Sequence, residues 1–199
     1  MLWKSAFIAI LVAYGIGSLP WAVWVGYAFS GKDIRNGGSG NAGATNTYRM
    51  IGIGPAIIVF LLDAGKGALV AWLCWTWQLS APWMIVAGFF VMLGHIYPVF
   101  AHFSGGKGIS TAAGILALVD PLALLVALIL FVLIAWRFRL VSAASLAAGA
   151  VAFLTAMTQM IFLGDSWMPV AVTGLFLVMI LSTHRDNIRR LKSGTESKI

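Results

Sequence analysis

Residues 37–49, Gly37-Gly38-Ser39-Gly40-Asn41-Ala42-Gly43-Ala44-Thr45-Asn46-Thr47-Tyr48-Arg49, gather glycines, hydroxyls and amides and close on an arginine. The glycines let backbone N–H groups crowd around an anion, Ser39, Asn41, Thr45 and Asn46 add donors, and Arg49 supplies a charged fork that matches phosphate. We read the stretch as a phosphate cradle that includes Gly40, Gly43 and Ala44; the competing reading is a flexible turn between two membrane helices. No lysine follows the last glycine, so the pattern is not a nucleoside-triphosphate loop.

Other chemistry-bearing residues lie further along. Gly105-Gly106-Lys107-Gly108 offers a lysine whose glycine neighbours leave it unobstructed. His184 and Asn187 are three apart, one face of a helix, with Arg185, Arg189 and Arg190 beside them. Ser142 and Ser145 share the same spacing, which also suits helix packing or capping. Asp63 and Lys66 fall inside an apolar run, and charge there is costly, so the pair is expected to face a helix bundle as an ion pair, structural or site-orienting. His95 reads as a core or interface histidine that supports the site. No carboxylate is placed by sequence beside a histidine and no serine elbow occurs, which favours binding of two anionic groups over a hydrolase triad. The single Cys74 and the three scattered histidines give no metal-ligand set, and no metal or other cofactor is expected.

The elements that must position these residues are membrane helices. In 199 residues 61% are hydrophobic and only 10% are charged, with a mean hydropathy of +0.95, which excludes a soluble domain. The net charge of +7 has no soluble basic domain to serve, so no nucleic-acid partner is expected. Apolar runs at 5–29, 55–77, 83–100, 109–119, 122–136, 140–163 and 168–182 predict an all-α, single polytopic membrane domain spanning 1–199 with seven crossings. The runs at 109–119 and 122–136 are short for a crossing, yet a turn at Asp120-Pro121 returns Lys107, Arg137 and Arg139 to one side. Eleven of the thirteen basic residues then share one face, against Lys4 on the other and Lys66 within a span. By the positive-inside rule that face is cytoplasmic, the N-terminus is outside and the C-terminus inside.

In order and rough spacing, Gly38-Ser-Gly-Asn-Ala-Gly-Ala-Thr-Asn46, Asp63-x-x-Lys-Gly67, Gly94-His-x-Tyr-Pro-Val-Phe100 with Gly105-Gly-Lys-Gly108, and His184-Arg-x-Asn-Ile-x-Arg-Leu191 resemble the bacterial acyl-phosphate:glycerol-3-phosphate acyltransferase family nearly end to end. Ala42 departs from the proline expected in many relatives. No His-x-x-x-x-Asp pair of the thioester-dependent glycerolipid acyltransferases is present, since Phe100, Lys107 and Arg189 follow the three histidines at that spacing.

The resemblance implies an enzyme of the bacterial plasma (inner) membrane that moves a fatty acyl group from acyl phosphate to glycerol 3-phosphate, with lysophosphatidic acid and phosphate as products. It implies membrane lipid around the chain, and contact with the enzyme that forms acyl phosphate. On this reading residues 39–46 hold the donor's phosphate with Asn187 close by, while Lys107, Arg49 and His184, with Ser142, Ser145, Gly105 and Gly106, hold glycerol 3-phosphate. The hydroxyl proton goes to the substrate's own phosphate or to His184. The alternative class is a transporter of a small phosphorylated anion, which would use the same cradle and cations.

Overall fold

The computed structural model describes residues 2–199, with side chains from residue 6 onward, so the Lys4 side chain lies outside the described part. Every regular element among the described residues is helical: α1 Leu2–Gly17, α2 Trp21–Ser30, α3 Ala44–Ile51, α4 Ile53–Thr76, α5 Ala81–Ile96, α6 Ile109–Val119, α7 Pro121–Phe138, α8 Val141–Thr158, α9 Met168–Thr183 and α10 Arg185–Lys192. Short 3-10 turns cover Ile34–Asn36 and Val99–Ala101, and a π turn, Gln159–Leu163, extends α8. The chain forms two compact units, one through Leu118 and one from Val119 onward.

Five stretches are long and apolar enough to cross a bilayer: Ala6–Ser30, Ile53–Thr76, Ala81–Ala101, Pro121–Phe138 and Val141–Leu163. α9 with α10 makes a sixth if the pair is taken as one span, bent by 65°, and α6 is an apolar helix of 11 residues. The run at 122–136, read from sequence as short, grows to the 18 residues of α7. Pro121 is the reason: at the first position of a helix proline costs no hydrogen bond, and the Asp120 side chain caps the helix by accepting from the Ala123 N–H at 2.9 Å.

In the first unit, the span at Ala6–Ser30 is broken at Ser18-Leu19-Pro20, because proline lacks the N–H that would continue the helix. Glycines bring the surrounding helices into backbone contact. A Cβ on Gly17 would overlap the Val91 carbonyl of α5, and one on Gly94 would overlap the Tyr14 carbonyl of α1. Gly67 of α4 meets the Thr111 carbonyl and Gly114 of α6 meets the Ala64 carbonyl in the same way. Such small-residue seams are how helices associate where hydrophobic burial offers no drive between them. Ile34 and Ala42, on the loop after α2, enter an apolar cluster with Ala22, Val23, Val25 and Val59, which anchors that loop to the bundle.

In the second unit α8 packs between α7 and α9. His184 stands at the bend where α9 gives way to α10.

Candidate active site

The glycine stretch divides into a loop, residues 37–43, and the first turns of α3. Asn46 organises the loop. It is fully buried; its Oδ1 accepts from the Ser39 N–H at 2.7 Å, and its Nδ2 donates to the carbonyls of Ile34 at 2.8 Å and Gly37 at 3.2 Å. The sequence reading gave Asn46 a place among the substrate donors, whereas here its amide is engaged in shaping the loop. Gly38, at φ 60°, lies against Asn46 Oδ1 and has no room for a side chain. The first α-helical bond of α3 runs from the Thr47 N–H to the Gly43 carbonyl at 3.0 Å, and the N-cap, Gly43, offers no side-chain cap to the amides of Ala44, Thr45 and Asn46 that precede it. A helix end of this kind has the free amides and dipole that suit an anion. Ser39 and Gly40 are exposed at the loop tip, Asn41, Gly43, Ala44 and Thr45 are half-buried, and Arg49 is half-buried in the last turn of α3.

The second glycine segment packs directly on the first. The Ala42 N–H donates to the Gly105 carbonyl at 3.3 Å, a bond that proline at position 42 could not make. Gly105 and Gly106 in turn donate to the carbonyls of Ile96 at 3.2 Å and His95 at 3.0 Å, closing the end of α5. Their amides are therefore engaged in positioning the segment. A Cβ on Gly106 would overlap His95 Nε2, and one on Gly105 the His95 carbonyl. Lys107 follows, half-buried, and Gly108 at φ 85° turns the chain into α6.

Beneath this segment lies the buried charge cluster. Lys66 Nζ is 2.9 Å from Asp63 Oδ1 and donates to the carbonyls of Gly17 at 3.0 Å and Leu19 at 3.2 Å; both charged side chains are 3% exposed. His95 Nδ1 faces the same Asp63 oxygen at 3.4 Å. The pair that sequence left between a structural and an orienting role thus joins the break of the first span, α4, α5 and, through the His95 ring, Gly106.

In the second unit the polar residues gather around an acid that the sequence reading did not single out. The Glu196 side chain is 6% exposed and accepts from Arg190 Nε at 2.7 Å and Asn187 Nδ2 at 2.5 Å. The Ser142 hydroxyl lies beside the same carboxylate, short of full hydrogen-bond geometry. A Schellman end delivers the acid: Gly194, at φ 71°, donates to Leu191 and Thr195 donates to the Arg190 carbonyl, turning the tail back over α10. Gly194 in a polar tail was the available signal. Ser145 is buried one turn after Ser142, and His184 is 2% exposed. His184 Nδ1 lies 2.9 Å from the Ile180 carbonyl. A carbonyl only accepts, so Nδ1 carries the proton and Nε2 is the acceptor of the neutral ring.

Burial raises the Glu196 carboxyl, but the side chains of Ser142, Asn187 and Arg190 outweigh it and hold the group below the usual carboxylate range. A depressed folded-state value means stabilisation that is present above the unfolded value and lost as pH falls through the folded one. The melting temperature of wild type should therefore exceed that of Glu196→Gln most at neutral pH, with the gap shrinking on acidification. An equal gap from neutrality to about pH 3, below the unfolded value of a carboxyl, would show that the ionised acid does not hold the tail.

The chain matches the family described as glycerol-3-phosphate acyltransferase over residues 7–194. Glycerol-3-phosphate acyltransferase 1 of Deinococcus radiodurans is 39% identical over 196 residues, covering 98% of this chain and 96% of the relative. The glycerol-3-phosphate acyltransferase of Listeria welshimeri is 38% identical over 191 residues, covering 95% and 94%. Among solved structures, the glycerol 3-phosphate form of PlsY (YgiH), an integral membrane glycerol 3-phosphate acyltransferase, aligns with a TM-score of 0.86 at 34% identity, over 98% of this chain and 96% of that one. Its lysophosphatidic acid form aligns with a TM-score of 0.84 at 32% identity, over 98% and 95%. The chain belongs to the glycerol-3-phosphate acyltransferase family, in its integral-membrane PlsY type, and so to phospholipid biosynthesis.

Proposed function

We propose that this protein transfers a fatty acyl group from acyl phosphate to the first hydroxyl of glycerol 3-phosphate, releasing lysophosphatidic acid and inorganic phosphate. The observation that carries this reading is the N-terminus of α3, which has no side-chain cap and is preceded by a glycine loop shaped by Asn46, an arrangement that suits a phosphate without a metal ligand. The hydroxyl oxygen attacks the acyl carbonyl carbon, the carbon–oxygen bond to phosphate breaks, and phosphate departs with the bonding electron pair. A mixed anhydride already has a good leaving group, so the protein's tasks are to bind and to orient.

In the first unit, the α3 seat with Ser39, Asn41 and Thr45 takes the donor's phosphate, and Lys107 and Arg49 clamp the phosphate of glycerol 3-phosphate. In the second unit, His184, Asn187, Ser142 and Ser145 bind phosphate oxygens. The hydroxyl proton passes to the substrate's own phosphate or to His184 Nε2. The chain works as one polytopic domain of seven spans, with α6 and α9 completing the five long ones. Its N-terminus is outside and its chemistry is at the cytoplasmic face of the bacterial inner membrane, an orientation supported by the clustering of basic residues.

Purified protein given acyl phosphate is expected to release phosphate only when glycerol 3-phosphate is present, mole for mole with lysophosphatidic acid. Release without acceptor would make it an acyl phosphatase. Binding of glycerol 3-phosphate with no release would favour a transporter of phosphorylated anions.

A further inference from the structure

The turn that leads into Lys107 holds two consecutive non-glycine residues in the left-handed region, His102 at φ 54° and Phe103 at φ 56°. L-residues adopt that backbone only where their surroundings fix it, and such positions gather at functional sites. Within the turn, the N–H groups of Ala101 and Phe103 both donate to the Pro98 carbonyl, at 3.1 and 2.9 Å. The Ser104 N–H donates to the Ala101 carbonyl at 3.2 Å, and a further restraint comes from far away in sequence. Arg35 Nη1 donates to the carbonyls of Ala101 at 2.7 Å and Ser104 at 3.1 Å, the two residues that flank the left-handed pair.

The other edge of the same guanidinium is fixed as well. Its Nε lies 3.0 and 3.1 Å from the Asp33 carboxylate oxygens and its Nη2 lies 2.7 Å from Oδ2, a bidentate pair. Asp33 Oδ1 also accepts the Arg35 backbone N–H at 2.9 Å, which pins the pair to the 3-10 turn entering the glycine loop. Arg35 therefore grips both segments proposed to hold phosphate, just upstream of Gly37 on one side and of Lys107 on the other.

We infer that Arg35 is a positioning residue: it locks the Ala101–Ser104 turn against the glycine loop and so sets Lys107 in register with the N-terminus of α3. The inference rests on the phosphate-binding role proposed for these segments. Lysine should not replace it, because Nε and Nη2 of Arg35 engage Asp33 on one edge of the guanidinium while Nη1 reaches the Ala101 and Ser104 carbonyls from the other, and a compact ammonium has no second edge to hold partners that far apart.

The test uses the full-length protein in detergent, with Arg35→Lys and Arg35→Gln, and with Asp33→Asn as the variant that keeps the arginine but loosens its grip. In both Arg35 variants, amide hydrogen exchange at residues 37–43 and 101–106 should accelerate together by about tenfold or more, which corresponds to about 1.4 kcal/mol of local opening, while the amides of α4 and α5 keep their protection. Asp33→Asn should shift the same two segments by less. The KM for glycerol 3-phosphate should rise about tenfold with kcat little changed, and lysine should not rescue it. Wild-type exchange and KM in Arg35→Lys would overturn the inference, as would acceleration spread evenly over α4 and α5, the mark of a general loss of packing. Because exchange needs no substrate, loosened loops in a protein that makes no lysophosphatidic acid would refute the proposed function and leave the clasp standing.

Discussion

Lys107→Ala is expected to lower acyl transfer by at least about 100-fold, equivalent to about 2.7 kcal/mol of transition-state stabilisation, while the protein remains folded in detergent. The two halves of this expectation have separate grounds. Lys107 is half-buried and follows Gly105 and Gly106, whose amides and close packing already fix the backbone against α5. Gly108 at φ 85° completes the turn, so the path of the chain does not depend on the lysine side chain. In the proposed function its ammonium makes a charge-assisted contact to the acceptor's phosphate, and loss of such a contact would both weaken binding and free the acceptor hydroxyl to leave the line of attack. Turnover with glycerol 3-phosphate and the melting temperature, measured on one preparation, separate the two. Near wild-type turnover would remove Lys107 from the site; a collapsed melting temperature would make it a structural residue.

How far the sequence revealed this arrangement depended on the kind of signal. Hydropathy located the helices well because bilayer length and apolar composition are local properties: the short run at 109–119 coincides with α6, and the others differ from observed helices mainly at their ends, except that 5–29 is broken into α1 and α2. The glycine stretch suggested a phosphate loop by composition, but composition does not distinguish a donor offered to a ligand from one that builds the loop. Asn46 is of the second kind, and only its contacts with Ile34, Gly37 and Ser39 reveal it. The Asp63 and Lys66 pair was legible from its spacing on one helix face. Its reach to Gly17, Leu19 and His95 was not, since those contacts join separate helices. Glu196 and Arg35 escaped for the same reason. Each lies in a short polar segment where a charge is ordinarily solvated, and each gains its role from a turn that brings it back onto distant backbone or side chains.

Lys66→Met is expected to cost about 3–5 kcal/mol of stability, the usual consequence of leaving one member of a buried pair behind. For a chain of this size that is a fall of roughly 6–20 °C in melting temperature. The reason lies in the broken first span. Interrupting a helix inside the membrane exposes carbonyls that have no water to accept from, and each left unsatisfied is costly. Lys66 Nζ meets the carbonyls of Gly17 and Leu19, and with Asp63 Oδ1 as the third partner all its protons are engaged. Methionine is one atom shorter and apolar; it takes the ammonium from the Gly17 carbonyl, leaves the Leu19 carbonyl with only the Trp21 N–H at 3.1 Å, and leaves the Asp63 carboxylate facing His95. Asp63→Asn should cost less, because an amide oxygen still accepts from the lysine. The double variant should be less destabilised than the sum of the singles, since it removes the stranded carboxylate along with the ammonium. Thermal unfolding of the three proteins measures this coupling. A loss below about 1 kcal/mol for Lys66→Met would put the pair in the class of exposed ion pairs and leave the helix break without its support. Activity should fall with stability in this series, because His95 stands between the cluster and Gly106: a change in the Asp63 carboxylate moves the ring against which the Lys107 segment is built.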